Sequence, residues 1–170
     1  MHREVSSGAA ASAVAPVDAS ATCTCGSLPA LPEPGEVPAD DDRYFYFPDV
    51  AQHDWLFRAV VRAILPNTEP TRSNKASLLA ELRDRGVFLI DLKPDPVDGS
   101  PLSPYVPALL DRIVELAPER IILIKADVYD AAYPALAAAG LPVSKVRVPF
   151  PSSGRQREFA VAFGQALAGE

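Results

Sequence analysis

Three short apolar runs constrain this chain more than any other feature: VFLIDL at residues 87–92, IILIK at 121–125 and KVRVPF at 145–150. The first is too short for a helix and is bounded by Pro94, so it reads as a buried strand; the second reads as another buried strand and the third, which alternates, as a third strand. Between them the apolar residues recur at helical spacing. Leu56, Val60 and Ile64 form one stripe, with Asp49 as the expected N-cap, Gln52 in capping-box position and Pro66 as the stop. SNKASLLAELRDR follows, with Ser73 as cap, Leu78, Leu79 and Leu82 inward and Gly86 at its end. Ser103 and Pro104 open a third helix whose inner residues are Val106, Leu109, Leu110, Ile113 and Leu116, ending at Pro118. A fourth runs from Asp127 to Gly140 across Pro134, and a fifth stacks Phe159, Phe163 and Leu167. Apolar strands alternating with helices predict an α/β domain: a three-layer, doubly wound, mainly parallel sheet. The loops after the three strands then fall together along one sheet edge, and any site belongs there.

The chain has 170 residues, 48% of them hydrophobic, enough for one ordinary core with a tail left over. Residues 1–42 are rich in Ala, Ser and Pro and poor in the aromatic and branched residues that offset ordering entropy, which predicts a disordered tail and a single domain over 43–170. Pro16 and Asp18 interrupt the Ala-rich stretch before it forms the solid apolar block of a secretory signal. No run approaches the roughly 20 apolar residues of a membrane span, and the expectation is a cytoplasmic protein. Cys23 and Cys25 sit in the tail, too close for an unstrained disulfide and two ligands short of a metal site. His53 is a lone histidine, a poor metal-ligand candidate, so no metal is expected. Walker, dinucleotide-glycine and Gly-x-Ser-x-Gly signatures are all missing, and no cofactor is expected.

The net charge of -6 is unevenly spread. Seven acids face Arg3 alone in residues 1–42, which leaves the remainder balanced, and residues 131–157 hold Lys145, Arg147, Arg155 and Arg157 with no acid. Such a patch can steer an anion even on a negative molecule. PFPSSGRQREF, at 149–159, carries two of these arginines. Ser152, Ser153, Gly154, Arg155 and Gln156 place hydroxyls, backbone N–H groups and charge at a helix start, as a phosphate contact requires. The plain alternative is a strand-to-helix turn capped by Ser153 with solvated arginines. Arg72, Ser73, Asn74 and Lys75 form a second polar cluster, read as solvated surface.

The order VFLIDLKPDP, then PALLDRIVELAPERIILIKADVYDAAYPALAAAGLPV, then VPFPSSGRQREF resembles the later two thirds of the uracil-DNA glycosylase superfamily, over about residues 87–168. RYFYFPDV at 43–50 resembles the aromatic segment after that family's water-activating loop. The resemblance implies a DNA-repair hydrolase that extrudes a base, reads its edge and breaks the N-glycosidic bond with water. It puts Asp91 at the base-reading position, Phe45, Tyr46 and Phe150 where a base is stacked or its departure assisted, and DNA or a nucleotide as partner. Three departures follow from the residues. Asp91 only accepts hydrogen bonds where uracil requires an amide, Phe150 offers no donor, and the upstream strand with its water loop is lacking. The fold is thus expected to miss its first strand. The other reading of the same residues is a non-catalytic α/β module for a protein or a small anion, with Asp91 ordering a loop and the aromatics filling the core.

Overall fold

The computed structural model describes residues 11–15, 45–46, 54–93, 100–152 and 154–169. Among them lie strand β1 (Ala11–Ala15), helices α1 (Trp55–Ile64) and α2 (Lys75–Asp84), strand β2 (Phe88–Asp91), a 3-10 turn at Ser103–Tyr105, helix α3 (Val106–Leu116), strand β3 (Ile122–Leu123), and helices α4 (Ala126–Ala138) and α5 (Gln156–Ala168). The chain is a mixture of helices and strands.

The strand order is β2-β1-β3. β1 runs antiparallel to both neighbours, with Val14 opposite Leu89 and Ile122, and Ala13 opposite Ile90 and Leu123. β2 and β3 therefore point the same way, and parallel bridges at Ile124–Val148, within the third apolar run, and at Ile121–Val143, just before it, lie on the far side of β3. Two expectations change here. The sheet is mixed rather than mainly parallel, because the segment between β2 and β3 runs against them. Residues 11–15, inside the stretch whose composition predicts disorder, are that segment. The physical reason is backbone accounting: two strands held apart present facing rows of N–H and C=O groups that must find partners. The rest of the tail, with Cys23 and Cys25, and the Asp49–Gln52 cap lie outside the described residues.

Alternate residues of the strands feed two apolar clusters. Ile122, Ile124, Val148 and Leu89 pack with Leu56, Phe57, Val60 and Val61 of α1, Leu78 and Leu82 of α2, and Phe159 and Phe163 of α5. Ile121, Leu123 and Ile90 pack with Leu109 and Ile113 of α3 and Val128, Ala132 and Leu136 of α4. This is the period-two placement of a strand buried on both faces. Gly86 adopts φ 70° where α2 ends, so that the Val87 N–H can reach the Leu82 carbonyl at 2.9 Å. Only glycine enters that conformation at little cost. α1 starts at Trp55 because the Asp54 carboxylate accepts from the Phe57 N–H at 3.0 Å.

Candidate functional site

The register sets the rim. Ile90 and Leu123 are level across Ala13, and Ile124 is level with Val148. The chain thus leaves β2, β3 and the third run on one edge, with Leu92–Lys93, Lys125 and Pro149–Ser152 following. Lys125 stands there at φ 84°, costly for a residue with a side chain. It is held by its N–H to Val148 O at 2.9 Å and by Tyr129 N–H to its own carbonyl at 3.0 Å.

Asp91 ends β2 half-buried, and its carbonyl accepts from the Arg112 guanidinium of α3 at 3.0 Å. Beyond it, Lys93 is only 4% exposed. Its Nζ donates to Ser100 Oγ at 2.8 Å and lies 5.6 Å from the centre of the Tyr105 ring. A buried cation on the rim is a feature the sequence analysis passed over. Its trace was a lysine set directly between an apolar run and a proline.

Phe150 and Phe45 are half-buried and pack against the α1, α2 and α5 cluster. Phe45 meets Phe57 edge-on, with ring centres 5.8 Å apart. Tyr46 keeps an exposed ring but a sheltered hydroxyl, which donates to Leu89 O at 2.9 Å and accepts from Leu89 N–H at 2.6 Å. Since both backbone groups of a strand residue point the same way, Tyr46 stands in for a neighbour on the outer side of β2. Loss of hydration pushes its hydroxyl up to about 12, with the Asp91 charge adding in the same sense against the Leu89 hydrogen bond. Tyr44 and Phe47 lie outside the described residues.

In the third loop, Ser152 N–H bonds Phe150 O at 2.9 Å and Arg155 N–H bonds Ser152 O at 3.0 Å, with Gly154 at φ 83° between them. α5 begins at Gln156, after Arg155 rather than after Ser153, which is outside the described residues. Arg155 is engaged by Glu158 at 3.0 Å. Arg147 forms a forked pair with Asp130 of α4, one arm at 3.0 Å. The acid-free stretch of the sequence thus gains acids in space, one a helical turn onward and one from the neighbouring helix.

Gln156 opens onto a groove of about 240 Å³ between α1 and α5, lined also by Trp55, Arg58, Arg62 and the small residues Ala59, Ala63, Ala160 and Gly164. Glu69 pairs with Arg62 at 2.6 Å and with Arg58 at 3.5 Å. The hydrogen bond from Arg62 holds the Glu69 carboxyl below its ordinary range. Arg58 Nε is shielded from solvent and finds no acceptor. Trp55, Arg58 and Arg62 share a helix face by their spacing, a signal available in the sequence but not read as a site. In the second polar cluster, Asn74 Oδ1 accepts from Thr71 N–H at 2.7 Å, while Lys75 turns inward to Asp54.

Among the described residues, no helix is long and apolar enough to cross a membrane, and no three His, Cys, Asp or Glu side chains gather as metal ligands. No protein-family model, curated protein or solved structure matches the chain.

Proposed function

We propose that this chain is a uracil-DNA-glycosylase-like α/β domain, doubly wound in three layers, which binds DNA or a nucleotide without releasing a base. The observation that carries the reading is the common edge at which the chain leaves Asp91, Ile124 and Val148. Open α/β folds bind ligands on such an edge. Helices packed on both faces of the strands support the layered architecture. Binding without hydrolysis follows from the side chains. Asp91 accepts but does not donate, and Phe150 has no group to stabilise a departing base.

The test incubates the protein with single-stranded and duplex oligonucleotides carrying uracil, hypoxanthine or xanthine, alongside Asp91→Ala and Arg155→Ala variants. Weak binding that falls with salt, weakens in Arg155→Ala and releases no base above a protein-free control is the expected result. Base release abolished by Asp91→Ala removes the non-catalytic half of the proposal. Affinity indifferent to salt and to Arg155→Ala removes the phosphate half.

A second reading, a non-catalytic module for a protein or small anion, draws on one observation: Phe45 and Phe150 pack against the hydrophobic core. Inorganic phosphate that competes fully with every oligonucleotide at equal phosphate concentration favours it.

A further inference from the structure

The α1–α5 groove differs from the rim loops in having a floor of small residues, a cationic wall from α1 and an aromatic end. Ala59 and Ala63 of α1 face Ala160 and Gly164 of α5 across the floor. A Cβ built on Gly164 would meet nothing within 4 Å, so the space above it is open. Trp55 is 37% exposed at the α1 start, Gln156 supplies an amide at the α5 start, and Arg58 and Arg62 stand between them. Among the described residues Glu69, whose side chain is 64% exposed, pairs with both arginines. Exposed pairs of this kind contribute little and yield to a better acceptor.

We propose that this groove seats one nucleotide of a single strand of nucleic acid, with the base against Trp55 and the small-residue floor and the phosphate taking Arg58 and Arg62 from Glu69. The inference rests on the nucleic-acid reading above and deepens it, adding to the rim a contact on the helical face that Gln156 joins to it. A flat apolar face with one charged end matches a base and its phosphate. A run of carboxylates offers charge with no face to lay on the floor. A duplex hides its bases, whereas an unpaired strand presents them for stacking on an aromatic ring.

Trp55 is the only tryptophan in the chain, so its fluorescence reports this groove alone. The experiment titrates the full-length protein with a labelled oligothymidylate, following label anisotropy and tryptophan emission together. Emission should change in step with anisotropy, and Gly164→Leu, which plugs the open space, should remove both signals while circular dichroism stays helical. Arg62→Ala should lower the slope of log affinity against log salt by about 0.7, the value for one lost phosphate contact on a single strand. Trp55→Ala should weaken anisotropy-detected binding about tenfold. Glu69→Ala should tighten it.

Anisotropy that rises with tryptophan emission unmoved and Gly164→Leu binding normally overturns the groove while leaving the proposed function standing. No anisotropy change at low salt overturns both. Polyglutamate displacing the oligonucleotide at equal charge concentration also overturns the groove as a nucleotide seat.

Discussion

The ammonium of Lys75 lies 2.6 Å from Oδ2 of Asp54, and the two side chains are only 2% and 7% exposed. Asp54 also caps α1 through its other oxygen, and Lys75 Nζ stands 4.8 Å from the centre of the Phe57 ring. The pair therefore ties the start of α2 to the start of α1 in a site closed to water.

Breaking such a pair from one side leaves an uncompensated charge in the interior. Asp54→Ala should cost about 3–5 kcal/mol, the loss of the cap contributing about 1 kcal/mol of that. Asp54→Ser combined with Lys75→Met keeps a cap and removes both charges, and should recover most of the loss. Urea midpoints of the three proteins measure this; equal midpoints for the single and double variants would contradict it.

Tyr46 gives a prediction in alkali. With its folded-state pKa near 12 against an ordinary 10, the unfolded chain gives up this proton first. The contribution is fully present below pH 10 and drains away as pH rises toward 12. Tyr46→Phe should show a flatter fall in stability across that window, together with a lower neutral-pH stability by about 1–3 kcal/mol from leaving Leu89 unsatisfied. Tyrosinate absorbance of the two proteins, subtracted, should titrate late.

Ala13 pairs with strands on both sides. Ala13→Pro removes its donor and should lower stability by about 3 kcal/mol or more. The same change at Ala162, on α5, would damage helix rather than sheet and serves as the comparison. Loss of amide-exchange protection at Ile90 and Ile122, which face Ala11–Ala15 across the pairing, specific to Ala13→Pro, is the signature to look for.

Gly164 sits inside α5 with open space where its side chain would be. Gly164→Ala should stabilise the protein by about 0.5–1 kcal/mol, since glycine carries an entropic cost in a helix interior. A higher thermal midpoint is the expected readout.

The helices were legible because their information is local. Leu78 and Leu82, or Phe159 and Phe163, announce a buried face by spacing alone, and both pairs are buried. The β2 and β3 runs were legible for the same reason. Helix starts were less so: α1 begins after Asp54, whose choice as cap is fixed partly by Lys75 far along the chain. The third run reads as a strand by composition yet contributes an isolated bridge at Val148, with a second at Val143 just before it, since pairing depends on where a neighbour lies. At the site, Asp91 ends β2, and Ser152, Gly154, Arg155 and Gln156 follow Val148. The partners that qualify them are not local. Asp130 comes to Arg147 from another helix, and Phe57 comes to Phe45. Lys93 was hidden by a general rule that lysines are exposed.

The placement of β1 has a consequence for how the molecule is assembled. Its partners Phe88 and Ile122 arrive late in the chain, so a segment made early must wait for both before its hydrogen bonds can close. High contact order of this kind slows folding. Until that strand is seated, the two flanking edges remain a template on which a second molecule's Ala11–Ala15 could dock just as well, making strand exchange between copies the natural hazard of this architecture.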